Sequence, residues 1–228
     1  MFDATVREGV CRLARPRTRW LSTGHAGGES RAPAAYNCTV PEGWTRTDLD
    51  AYVAERLDTA GFETDGPALL TGVDQRHARR ARLGPVEAVA TAGVSNPASL
   101  PVDAAARADG GQRAGTVNIV VGTTRSLAPG ALPNLLTVAA EAKAATLLEL
   151  ADVPGTTTDA VVAACDPAGD TARFSGSATA VGGAARACIR EAVAASLRSR
   201  HPDGEYAAES GVVTDERATV SRLHTSDP

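Results

Sequence analysis

Strand-like runs that cluster early and then alternate with helical segments predict an α/β or α+β fold, a mixed sheet covered by helices in a single compact domain. Two observations support this. Hydrophobic residues make up 43% of the 228, enough for one core, and beyond residue 200 the chain turns polar and loses periodicity. The domain is therefore placed at residues 1–200, with a polar, mobile tail at 201–228. Aromatic residues are only 4%, so the core must be built from Ala, Val and Leu.

"RWLSTG" (19–24) and "AYNCTV" (35–40) alternate as strands do and read as neighbours, with "HAGGESRAP" between them as a Gly- and Pro-marked loop. In "RTDLDAYVAERLDTAGF", Leu49, Tyr52, Val53 and Leu57 share a helical face; Thr47 can cap its start and Gly61 suits its stop. "ALLTGV" (68–73) and "VEAVATAGVS" (86–95) are strands bracketing a basic run, "RHARRAR" (76–82), which reads as a solvated helical face. From 97 to 115 no periodicity is visible, and so long a stretch reads as a surface loop or lid. "TVNIVVG" (116–122) is a strand with Asn118 in its middle.

"LPNLLTVAAEAKAATLLELA" (132–151) is a helix apolar nearly all round, hence buried, with Pro133 in its first turn. Asn134, Thr137 and Glu141 form one polar stripe on it, and Glu141 must face a polar pocket, a partner or solvent, because an unpaired buried carboxylate is costly. "GTTTDAVVAAC" (155–165) sets four polar residues at the mouth of a buried strand. The last helix, about 182–200, puts Ala185, Cys188, Ile189, Ala192, Val193 and Leu197 on one face, where Ser196 can bond back to the preceding turn.

A net charge of -4 argues against a dedicated nucleic-acid binder, which needs a basic face to displace counterions. The four cysteines form no CxxC or Cys/His ligand spacing and no leader pattern opens the chain, so a cytoplasmic protein with reduced thiols is expected. No run of about 18 apolar residues is present to span a membrane. Lys143 is the only lysine, which reads as coding bias towards Arg. P-loop, GxGxxG, HExxH and GxSxG signatures are absent.

What remains is a set of polar residues in apolar surroundings: Asn37, His77, Asn96, Asn118, Glu141 and Asp159. Each has a structural reading too. Asn37 and Asn118 can bond backbone across a sheet, Asn96 before Pro97 suits a turn, His77 fits a charged helix, and Asp159 suits a strand entry. Cys38 and Cys165 read as small buried hydrophobes.

Taken in order, "RWLSTGHAGG", "AYNCTVPEG", "LLTGVDQRHAR", "VEAVATAGVSNPA", "GTVNIVVGTTRSLAPGALPNLLTVAAEAKAATLLEL" and "GTTTDAVVAAC" resemble the adenosylcobinamide amidohydrolase (CbiZ) family over about residues 10–200. The resemblance implies hydrolysis of the amide joining the corrin side chain to aminopropanol, giving adenosylcobyric acid and 1-amino-2-propanol in corrinoid salvage. It implies no protein cofactor or catalytic metal, since cobalt arrives inside the substrate, and a small-molecule corrinoid as partner, with room for a homo-oligomer.

On that reading Asp159 and Glu141 share the general base and acid roles, with His77 as an alternative base. Asn118 and the backbone near Thr157 polarise the carbonyl. Asn37, Asn96, Asn118, Thr157 and Thr158 meet the substrate's amides, and the 97–115 loop covers it. A rival version makes Thr157 or Thr158 the nucleophile. Two other classes stay open: a corrinoid-binding module without activity, and a metal-dependent hydrolase using His25 or His77 with Asp159.

Overall fold

The computed structural model describes residues 1–62, 66–101, 116–204, 206 and 211–222. In chain order the elements are β1 (Asp3–Arg7), β2 (Val10–Ser22), β3 (Gly28–Thr39), α1 (Leu49–Thr59), β4 (Ala68–Thr71), a 3-10 turn (Gln75–His77), β5 (Arg79–Leu83) and β6 (Val86–Ala92). There follow β7 (Ala98–Ser99), β8 (Val117–Thr123), β9 (Ser126–Leu127), α2 (Ala131–Ala151), β10 (Ala160–Cys165), β11 (Thr171–Ala172), α3 (Ala180–Arg200) and β12 (Val212–Val213). Among the described residues, no helix is long and apolar enough to cross a membrane.

Eight strands form one mixed sheet in the order β4-β3-β2-β10-β8-β6-β5, with β1 added to β2. Both β6 and β8 are buried along their whole length, as Val- and Ala-rich strands covered on both faces must be. β8 and β10 run parallel, joined through α2 as a crossover helix. β2 is long enough to serve two halves of the sheet: Val10–Ala14 carries β1, whereas Arg19–Ser22 pairs with β10. Between these stretches the ladder with β3 is interrupted from Ala14 to Thr18, and Arg17 takes a φ of 59°.

The sheet folds over itself at this break. Phe2 stacks on Trp20 at 5.5 Å and lies against Gly122 of β8, where a Cβ would collide with its ring. Leu13, Ala35 and Leu69 from one half thus share a core with Trp20, Val89, Val120, Val162 and Ala164 from the other. On the outer side of β3 and β4, α1 buries Leu57 and Ala60 against Tyr36, Cys38 and Ala68. On the far side, α2 and α3 cover β6, β8 and β10 through Leu132, Leu135, Leu147, Ile189, Val193 and Leu197. Each such buried side chain contributes about 1.5–3 kcal/mol. The result is helix, half-sheet, half-sheet, helices.

Several sequence expectations are corrected. The supposed loop before Ala35 is mostly strand, since β3 begins at Gly28. Asp48, not Thr47, caps α1 by accepting from Ala51 N at 3.1 Å, while Gly61 stops the helix with a φ of 67°. The basic run is no helical face: after the 3-10 turn it becomes β5, and Arg80 and Arg82 both pair with Glu87 of β6. Glu87 is fully buried and also accepts from Phe2 N at 3.1 Å. Ser196 accepts from Ala92 N at 2.9 Å and so ties α3 to β6, instead of bonding its own helix. From the C-terminal segment, β12 pairs in parallel with β7.

Candidate active site

The parallel strands β8 and β10 start level with one another, Ala160 lying opposite Asn118. The chain enters β10 through Gly155–Asp159, and the Asp159 side chain turns towards α2. Its Oδ1 accepts from Val117 N at 2.8 Å and from the Thr156 hydroxyl; its Oδ2 accepts from Thr156 N at 2.9 Å and from Lys143 Nζ. A carboxylate offers about four acceptor directions, and here all are filled. The Lys143 and Asp159 side chains are 13% and 9% exposed, so this is a nearly buried ion pair at the rim of the sheet.

Thr157 and Thr158 are exposed beside it. Thr157 N donates to Asn96 O at 3.1 Å, and its hydroxyl accepts from Asn96 Nδ2 at 2.5 Å. Thr158 shares a hydroxyl hydrogen bond of 2.8 Å with Thr116. Pro97 bridges to Thr156, and Ala98 N donates to Gly155 O at 2.9 Å. The lip at 156–159 is therefore stapled to both flanks of the stretch read as a lid; residues 102–115 of that stretch lie outside the described residues.

Asn118 and Asn37 lie nearby but on the inner face of the sheet, at 1% and 6% exposure. Asn118 Nδ2 donates to Asn37 Oδ1 at 2.9 Å and to Leu70 O at 2.8 Å, while Asn37 Nδ2 donates to Thr91 Oγ1 at 3.0 Å. Both N–H groups of Asn118 are thus spent, and none is left to polarise a substrate carbonyl. The pair knits β3, β4, β6 and β8 together behind the lip.

Glu141 and His77 are not brought to Asp159. Two residues before Lys143, Glu141 points about 200° away round α2; it is exposed and lies 3.6 Å from Arg186 of α3. His77 bonds Ser199 Oγ at 3.0 Å and accepts from Arg76 Nε at 3.1 Å, beside the C-terminal end of α3. Burial and the Arg76 guanidinium push its pKa below the usual imidazole value, and burial with Arg200 does the same for His201. His25 pairs with Asp50 at 2.8 Å. Among the described residues no three His, Cys, Asp or Glu gather as a metal-ligand group. All four cysteines are buried and unpaired, and burial pushes the thiols of Cys11 and Cys38 up to about 11 and about 12.

Two cavities open at the opposite end of β8 and β10. One of about 600 Å³ lies at the β2 irregularity between Arg17, Arg31 and Pro167; the other, about 530 Å³, lies between the starts of α2 and α3.

The family profile described as adenosylcobinamide amidohydrolase matches residues 3–205. The chain belongs to the adenosylcobinamide amidohydrolase family. It is 56% identical over 234 aligned residues to the adenosylcobinamide amidohydrolase of Halobacterium salinarum, covering 97% of this chain and 100% of that one. It is 31% identical over 151 residues to the protein of the same name from Methanosarcina mazei, covering 66% of this chain and 70% of the relative. The profile of the amidohydrolase family spans the eight-stranded sheet and all three helices, and ends before β12.

Within this amidohydrolase fold, sequence reasoning missed Lys143 and Thr116, and it read Thr156 as part of the polar lip without a role of its own. The signal for Lys143 was present, as the one lysine of the chain, standing in a largely apolar helix off the stripe of Asn134, Thr137 and Glu141. Thr116 carried none, because only the fold brings 116 beside 158; the fold likewise turns the Thr156 hydroxyl back onto Asp159.

Proposed function

We propose that this chain is an adenosylcobinamide amidohydrolase that works at the lip formed by residues 156–159. Water adds across the amide linking the corrin's propionyl group to aminopropanol, and adenosylcobyric acid and 1-amino-2-propanol leave. The observation that carries the reaction is the near full-length match, at 56% identity, to a relative of that name. The Asp159 cluster supports the place. Of the four donors on its carboxylate, two are backbone N–H groups and one is the ion pair; only the Thr156 hydroxyl can turn away without moving the chain. A water taking that position lies against Oδ1, which accepts its proton as the oxygen attacks the carbonyl carbon. The same proton returns to the departing nitrogen.

Thr157, Thr158 and Asn96 stand at the exposed rim and meet the amides around the corrin. In this reading the protein holds no catalytic metal of its own, and cobalt enters with the substrate. Its four unpaired cysteines support a reducing, cytoplasmic setting. The test is to incubate purified protein with adenosylcobinamide, with and without chelator, and follow both products by liquid chromatography and mass spectrometry. Equal product in both samples is expected. Unchanged substrate in both refutes the reaction, and product only without chelator refutes the metal-free chemistry.

A further inference from the structure

We propose that Lys143 is a catalytic residue of this reaction, its ammonium holding the oxygen of the scissile carbonyl as negative charge builds there; the proposal rests on the lip being the active site. An ammonium carries three N–H donors. Among the described residues Asp159 is the only hydrogen-bonding partner of Lys143, so two donors remain for a ligand.

The carboxylate, for its part, does not need the lysine for satisfaction. Val117 N, Thr156 N and the Thr156 hydroxyl already give it three bonds. Placing the chain's one lysine there costs desolvation and the freedom of a long side chain. An apolar residue of similar length would fill the same space in α2 without that cost. On the Gly155 side no side chain stands over the pair: a Cβ there would fall 3.1 Å from Lys143 Nζ and 2.8 Å from Asp159 Oδ2. A positive charge that is nearly dehydrated yet 13% exposed at the rim acts on a developing oxyanion far more strongly than one in water.

In the step itself, the water oxygen bonds to the carbonyl carbon while its proton passes to Asp159. The π pair of the C=O bond moves onto the oxygen, where the two N–H groups of Lys143 receive it. Collapse restores the C=O bond, breaks the C–N bond and returns the proton from Asp159 to nitrogen. Lys143 keeps its own protons throughout.

The test compares wild type, Lys143→Met and Lys143→Arg in turnover of adenosylcobinamide, equilibrium binding of adenosylcobyric acid, which is not consumed, and thermal unfolding. Lys143→Met is expected to lose about 10²–10³-fold in kcat, with the Kd for adenosylcobyric acid within about threefold, because an oxyanion donor acts in the transition state. Lys143→Arg keeps the ion pair and the fold but displaces the charge, and is expected to lose at least about tenfold in kcat with unchanged Kd. Folded Lys143→Met within about tenfold of wild-type kcat overturns the proposal. So does Lys143→Arg with wild-type kcat, which decides the matter where Lys143→Met fails to fold. A wild-type chain that releases no aminopropanol sinks the underlying reading instead, and is seen in the same experiment.

Discussion

Replacing Asp159 by Asn separates what this residue does for the fold from what it does for the reaction. Asn keeps one acceptor oxygen and turns the other into a donor. With its NH₂ at the Oδ2 position it meets Lys143 and Thr156 N, two donors; at the Oδ1 position it meets Val117 N and the Thr156 hydroxyl, of which only the hydroxyl can turn to accept. The second orientation wins, leaving one backbone N–H opposed and a nearly buried lysine without its counter-charge. Removing one member of such a pair costs about 3–5 kcal/mol, and the lower figure suits a lysine that keeps 13% exposure. At about 2–4 °C per kcal/mol for a chain of this size, Tm falls by roughly 6–12 °C. Total stabilities of about 5–15 kcal/mol leave the variant folded at room temperature. Measured there, loss of the base lowers kcat by about 10²–10⁴-fold. Thermal unfolding by circular dichroism and product release by mass spectrometry read the two effects separately. A Tm within about 1 °C of wild type refutes the ion-pair argument, and a kcat within about threefold refutes the catalytic one.

Glu141→Gln removes only an exposed pair with Arg186, worth about 0–1 kcal/mol, so kcat and Tm should stay close to wild type; a loss of about 100-fold in turnover contradicts the placement. Glu87→Ala removes a fully buried carboxylate from the exposed Arg80 and Arg82 and leaves Phe2 N without its acceptor, which should cost about 1–3 kcal/mol in urea unfolding, a shift below about 0.5 kcal/mol counting against it. His77 and His201 bind protons less readily folded than unfolded, so stability should fall as pH drops below 6.5, the unfolded-state value. Around His77 the charges are Arg76, Arg79 and Arg200 against Asp74. The double variant His77→Gln with His201→Gln should flatten the Tm profile between about pH 5 and 7, and an unchanged profile refutes the assignment.

The central strands were legible because β6, β8 and β10 are short Val- and Ala-rich runs, interrupted in β6 and β8 by only a few polar residues such as Glu87 and Asn118, a pattern that suits a sheet covered on both faces. The break in the first hairpin was not. Pro16 and Pro33 both fall where the β2–β3 ladder is interrupted, so an internal irregularity looked like the end of a strand. β5 was hidden for an electrostatic reason: two of its three arginines, Arg80 and Arg82, serve a single buried glutamate from the neighbouring strand, a contact no local pattern announces. Glu141 misled because α2 is rich in alanine, which fits an exposed face as well as a buried one, and Leu148 on the same helix is itself 50% exposed. Asp159 stood out correctly as a carboxylate at a strand mouth, yet its partners come from positions 117, 143 and 156, and two of these are distant in sequence.

That the lip, and not the cavities at the other end of β8 and β10, receives the corrinoid is tested most directly by hydrogen–deuterium exchange with and without adenosylcobyric acid, the product, which the enzyme cannot consume. Slowed exchange is expected at Ser95–Ser99 and Gly155–Asp159, with no change at Pro16–Pro33 or Asp166–Thr179. Protection confined to those latter segments would contradict it and move the active site to the opposite end of the sheet.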